Sequence, residues 1–214
     1  MIEPHMRQAQ EQHQWCATRL LECLQDMGSQ QTNAVLLTLQ GVETITPYQR
    51  YPQQPYYFGA GHWRAFYHCH ESSITDQREH GHFHFFTRAH EQQDWAHVIA
   101  LGVDHQGLPI NLFTTNLWVT DGEWFAAGQL NQQLQHLMMA NDNSLPERWF
   151  KYMLLLYAQP IADLLQARDI ELKRLCPRES DHCLIDRSIY YLSMQDIDIN
   201  KQLFSAFQTA ELLD

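Results

Sequence analysis

The sequence predicts an α+β fold: a central antiparallel sheet of about four strands, with one histidine-rich face, flanked by N-terminal and C-terminal helices. Three observations carry this prediction. Apolar residues recur at helical spacing up to Met27. Period two then dominates from His62 to Val119. Helical spacing returns after Thr120. The 214 residues fit one domain spanning 1–214. Within it, 1–45 reads as a helical N-terminal part, 46–61 as a Pro/Tyr-rich loop, 62–119 as the sheet, 120–175 as helices, and 176–214 as a C-terminal strand and helix.

From Arg7 to about Met27, Trp15, Cys16, Ala17, Leu20, Leu21, Cys23, Leu24 and Met27 form an amphipathic stripe, and Gly28 is a stop signal. The segment from Asn33 to about Val42 is read as a short helix. Three prolines between Thr46 and Gly61 oppose regular structure, so an ordered loop anchored by aromatic residues is expected there. Strand one runs roughly His62–His70 and strand two His80–Arg88, joined by a polar loop. Strand three is Trp95–Val103, followed by a turn at Asp104–Gly107, and strand four is Leu108–Val119. Thr120-Asp121-Gly122-Glu123 has the pattern of a capping box, which predicts a helix to about Ala140. Ser144-Leu145-Pro146-Glu147 has the same pattern and opens a further helix, which Pro160 kinks or divides. A connector over Cys176–Asp186, a short strand over Ser188–Met194 and a helix through Leu203–Leu212 complete the chain.

The chemistry concentrates in two tight sets: His68 and His70, then His80, His82 and His84. Residues two apart on a strand share a face. Antiparallel pairing therefore predicts that all five imidazoles converge on one side of the sheet, with Cys69 pointing away. Neutral imidazole is the commonest protein ligand for transition metals, so His68, His70, His80, His82 and His84 form the expected ligand pool. Zinc or iron is the first expectation, with manganese or copper as alternatives. Carboxylates close in sequence are Glu71, Asp76, Glu79 and Glu91, and Glu71 or Glu79 would complete or orient the site. His82 and Glu79 are the residues expected to carry catalysis. The competing reading makes these histidines ordinary polar residues of a half-exposed sheet. His97, on strand three, could face the cluster but is left out of the ligand set. Asn111, Thr114, Thr115 and Asn116 would line either a pocket beside the histidines or the outward face of an edge strand.

Composition narrows the function classes. Lys and Arg number 14 against 25 Asp and Glu, a net charge of -11, which argues against gripping a phosphate backbone or an anionic membrane surface. No apolar run is long enough to span a bilayer, and the first residues lack a signal-peptide core. Five cysteines without a Cys-x-x-Cys pair read as reduced thiols in a cytoplasm. The expected partner is a small-molecule substrate; the oligomeric state stays open.

The run His80-Gly81-His82-Phe83-His84-Phe85-Phe86 resembles the histidine-triad signature of nucleotide hydrolases and transferases, which have an α+β fold. That resemblance implies His82 as a nucleophile toward phosphorus, with His80 and His84 in support. Gly81 departs from the signature's apolar position. The His-x-His strands are also similar to those that feed a metal in cupins. Tyr67-His68-Cys69-His70, Glu79-His80-Gly81-His82-Phe83-His84 and Leu112-Phe113-Thr114-Thr115-Asn116, with Trp118-Val119-Thr120, together resemble a family of uncharacterised bacterial proteins. That likeness covers much of the chain and implies a shared site without a named reaction. The expected function is a metal-dependent enzyme, hydrolytic or oxidative. A non-catalytic metal-binding or sensor protein, and metal-independent histidine-triad chemistry, are the alternatives.

Overall fold

A computed structural model describes residues 4–71, 78–141, 144–178 and 182–211. Helices flank one antiparallel sheet of six strands in the order β1-β2-β3-β4-β5-β6. Helix α1, Pro4–Ser29, buries Cys16, Ala17, Leu20, Cys23 and Met27 along one stripe, as the helical spacing requires. The short helix α2, Ala34–Thr38, opens on Asn33, whose side-chain oxygen accepts from the Leu36 amide at 2.9 Å.

The sheet has six strands rather than about four, and the first addition corrects the loop expected over 46–61. Strand β1, Tyr51–Phe58, lies inside that Pro-rich stretch and pairs antiparallel with β2, Trp63–His68. Proline is excluded from central strands because it cannot donate to the ladder. An edge strand tolerates it, and β1 is an edge strand with an irregularity between Tyr51 and Tyr56. The second, β6 (Tyr191–Asp196), is the short strand expected over Ser188–Met194, displaced by a few residues, and it joins the sheet by closing the opposite edge against β5.

Strands β3 (Gly81–Thr87), β4 (Ala96–Val103) and β5 (Pro109–Thr115) form the centre of the sheet, and every residue of β3 and β4 is buried. Strand β5 stops well before Val119. Asn116 caps a single helical turn, α3 (Leu117–Thr120), by accepting from the Leu117 amide at 2.9 Å. The expected capping box at Thr120 is therefore not formed. Thr120 ends α3, and Glu123 is drawn to the start of β4, its amide donating to the Trp95 carbonyl at 3.1 Å. Helix α4 begins only at Ala127 and runs to Leu137. Its start is held by the side chains of Gln129 and Asp169, which accept from the Ala126 and Ala127 amides at 3.0 and 2.7 Å.

Ser144 does cap a helix: its hydroxyl accepts from the Glu147 amide at 3.3 Å and opens α5, Leu145–Leu156. The chain breaks its helical path at Tyr157 and continues as α6, Ala158–Leu175, with Pro160 in the first turn, where proline costs no hydrogen bond. Helix α7, Ile199–Glu211, packs beside α1. Cys176 and Cys183 form a disulfide with a Cα separation of 6.1 Å, which corrects the expectation that all five thiols are reduced. Among the described residues, no helix is long and apolar enough to cross a membrane.

The two faces of the sheet divide the interior. Trp63, Ala65, Tyr67, Phe83 and Phe85 pack against α1 and α5 in the main core with Trp149 and Phe150. The alternate residues of the same strands point the other way.

Candidate metal centre

Strand register builds the site. His68 lies directly opposite His82 across β2 and β3, and Phe66 lies opposite His84. Residues two apart on β3 share a face, so His82 and His84 sit side by side with His68 across from them. His82 and His84 are each 1 % exposed; His68 is half-buried.

The three rings meet through the same atom. His68 Nε2 lies 2.6 Å from His82 Nε2 and 3.2 Å from His84 Nε2. All three ligand atoms fall within 4.8 Å of one another. Tetrahedral ligation at roughly 2.0–2.1 Å would space such nitrogens by about 3.4 Å, near the His68–His84 separation and wider than the His68–His82 one.

The far side of each buried ring is tied down. His82 Nδ1 donates to Glu79 Oε1 at 2.7 Å. A carboxylate oxygen only accepts, so Nδ1 carries a proton, and in its neutral form the ring turns the Nε2 lone pair toward the cluster. Glu79 Oε2 in turn accepts from Asn111 Nδ2 at 2.9 Å, and the Gly102 amide donates to Asn111 Oδ1 at 3.2 Å. His84 Nδ1 is hydrogen-bonded to His97 Nε2 at 2.9 Å. This carboxylate–imidazole arrangement fixes ring orientation and raises ligand basicity.

Burial and neighbouring imidazoles keep these groups neutral. His68 is pushed down to about 2, first by burial and then by His82, His70 and Arg50. His84 lies well below the ordinary imidazole range, first through burial and then through His82 and His97. Burial, followed by Arg168 and His82, lowers His97 to about 3. A neutral imidazole is the form that binds metal.

Four of the five predicted histidines share this face. His70 follows β2, and its ring lies 4.9 Å from that of His68 and 5.1 Å from that of His82. Its Nε2 is buried without a hydrogen-bond partner among the described residues. His80 is the exception. It precedes β3, and its Nδ1 is hydrogen-bonded to the Tyr67 hydroxyl at 2.5 Å, on the core face. Its ring contacts Tyr67 and His105 rather than the cluster. Period two fails there because the regular strand begins only at Gly81, where a Cβ would sit 2.6 Å from the His68 carbonyl oxygen. Glu71 and Glu91 are exposed, and Asp76 lies outside the described residues. Cys69 is half-exposed rather than buried.

Sequence reasoning left three participants unassigned: His97 behind His84, Asn111 behind Glu79, and Gly102 beneath both. Gly102 carried a signal. A glycine inside an otherwise apolar strand marks close approach, and a Cβ there would lie 2.7 Å from Glu79 Oε2.

One side of the cluster opens into a cavity of about 500 Å³, lined by His68, His70 and His84 and walled by residues that sequence periodicity did not join to them. Phe66, Tyr48 and Arg50 come from β2 and the segment before β1; Trp118, Tyr190 and Tyr191 come from α3 and the approach to β6. Trp118 Nε1 donates to the Ile189 carbonyl at 2.7 Å, and Asn116 Nδ2 donates to the Cys183 carbonyl at 2.6 Å, which ties the two wall segments together.

No curated protein and no solved structure matches the chain. A family model matches residues 14–197, a span that includes all six strands, the clustered histidines and every wall of the cavity. By that match the chain belongs to the family described as "Domain of unknown function (DUF6969)".

Proposed function

We propose that this protein is a metal-dependent enzyme acting on a small molecule, with one transition-metal ion held by Nε2 of His68, His82 and His84. The observation that carries the reading is the meeting of three imidazoles at one point while Glu79 accepts the Nδ1 proton of His82. Without an ion, a buried lone pair faces other imidazole nitrogens and cannot be satisfied by all of them, which costs stability. An ion removes that cost.

Three protein ligands with an open side are the pattern of catalytic rather than structural sites. The cavity beside His68 and His84 supports that open side. Bound zinc supplies an activated water at neutral pH, whereas iron with open positions supports oxidative chemistry. Around either ion the protein's own groups have definite tasks. Glu79 and His97 orient the ligating rings, the aromatic walls restrict water, and the unpartnered His70 Nε2 is placed to take or give a proton beside the centre. A purely structural or sensing site is less well supported, because its coordination positions would be filled by protein. His82 as a phosphorus nucleophile is also less well supported, because the ring is 1 % exposed and does not line the cavity.

Elemental analysis of untagged, purified protein tests the reading. The expected result is near-stoichiometric transition metal, zinc or iron first, that is absent from a variant with His82→Ala and His84→Ala. Folded wild-type protein that is free of metal and takes up neither zinc, iron, manganese nor copper would overturn it.

A further inference from the structure

The walls of the cavity carry information about what enters it. Five aromatic side chains, Tyr48, Phe66, Trp118, Tyr190 and Tyr191, line it beside the histidines. They pack in two groups: Phe66 contacts His84 at 5.4 Å between ring centroids, while Trp118 contacts Tyr190 at 5.6 Å and Tyr190 contacts Tyr191 at 4.6 Å. The Tyr48 ring lies 5.0 Å from that of His70. Tyr48 holds that place in the left-handed region, at φ +67, its amide donating to the Cys69 carbonyl at 2.8 Å. A bulky residue is costly in that conformation, and such cost is typically retained where a binding surface is built.

The charge of the lining is opposite to that of the chain. Acidic residues outnumber Lys and Arg by 25 to 14 overall, yet among the described residues the cavity is lined by no carboxylate and by one permanent cation, Arg50. Glu79 is committed to His82 and Asn111 behind the imidazoles. The Arg50 guanidinium lies over the Phe66 ring, 4.7 Å from its centroid. Among the described residues, no carboxylate pairs with Arg50. A planar guanidinium of this kind is suited to bidentate recognition of a carboxylate.

From this juxtaposition we infer that the cavity takes a small aromatic carboxylate, its ring stacked among Phe66, Trp118 and Tyr190 and its anion held between Arg50 and the metal side of the pocket. The inference rests on the metal reading above and deepens it: the same site gains a substrate class. Arg50 supplies the preference for an anion, and the aromatic walls supply the preference for a ring.

The test uses the full chain loaded with one equivalent of cobalt(II), whose visible absorption reports on ligands reaching the metal. The probes are phenylacetate, its neutral amide phenylacetamide, and acetate, which has the charge without the ring. Phenylacetate is expected to perturb the spectrum at concentrations about ten-fold or more below either control. Arg50→Gln, at an exposed position, should retain cobalt at full stoichiometry while the preference for phenylacetate over phenylacetamide falls to near unity. Equal binding of phenylacetate and phenylacetamide by wild-type protein would overturn the anion assignment, as would an Arg50→Gln variant that keeps the preference. Equal binding of phenylacetate and acetate would overturn the aromatic assignment. In each of those cases the cobalt centre itself stands. Failure of wild-type protein to hold cobalt would remove the centre and this inference together.

Discussion

The two faces of one sheet bury side chains almost equally well and for opposite reasons. On the face toward α1 and α5, Phe83 and Phe85 are fully buried among rings that need nothing further. Alternate residues of the same strand, His82 and His84, are 1 % exposed and meet imidazole nitrogens. Apolar burial on the first face lowers the free energy of the fold directly. Equivalent burial on the second carries a desolvation cost, visible in the depressed protonation of His68, His84 and His97. A fold that sets such a cost beside a well-packed core retains it for a ligand.

Substitutions can separate the faces. Phe83→Ala is expected to have the largest effect on stability, about 3–5 kcal/mol, because it empties the centre of the aromatic core. It should leave metal stoichiometry of the folded fraction unchanged. His84→Gln should do the reverse: an amide can keep the contact to His97, so metal-free stability shifts by about 1 kcal/mol while metal uptake is lost. Chemical denaturation and metal analysis on both variants check the pair. Similar stability losses on the two faces would remove the distinction.

A smaller effect is expected behind the ligands. Glu79→Gln keeps the shape of the side chain and removes the charge that orients His82. Metal affinity should fall by about 10–100-fold, with the fold intact. Gly102→Ala, which places a Cβ against the same carboxylate, should lower affinity in the same direction. Competition with a chelator of known affinity measures both. Unchanged affinity in Glu79→Gln would show that the carboxylate does not act on the ring.

These three sets of residues were not equally legible in the sequence. Period two placed His68, His82 and His84 on one face because β2 and β3 are regular strands directly in register. It failed at His80, which lies just outside β3 and turns to the Tyr67 hydroxyl. His97 was seen as able to face the cluster but left out of the site, because its place there depends on a register irregularity between Phe85 and Phe86 that periodicity does not announce. Strand β1 was hidden by prolines that an edge strand tolerates. The cavity was hidden for a different reason. Arg50, Trp118 and Tyr190 are distant in sequence and are brought together by tertiary packing, which local pattern does not encode.

The smallest expected effect concerns the thiols. Burial, tempered by Lys151, raises Cys16 to about 12, and burial, tempered by Arg148, raises Cys23 to about 11. A raised pKa means the protonated, unreactive thiol predominates at pH 8. Alkylation of native protein at that pH, read by mass spectrometry, should label half-exposed Cys69 first and leave Cys16 and Cys23 untouched until unfolding. Early labelling of Cys16 or Cys23 would contradict the packing of α1 against the core.

The central claim is that three imidazoles hold one ion and leave a side of it open to the cavity. X-ray absorption spectroscopy of the metal-loaded protein measures this most directly, since it counts imidazole ligands and detects the remaining light atoms around the ion. The account predicts three imidazoles plus at least one exchangeable oxygen donor, with imidazole scattering reduced in His68→Ala. A shell filled entirely by protein ligands, or one with fewer than three imidazoles in the wild-type chain, would contradict it.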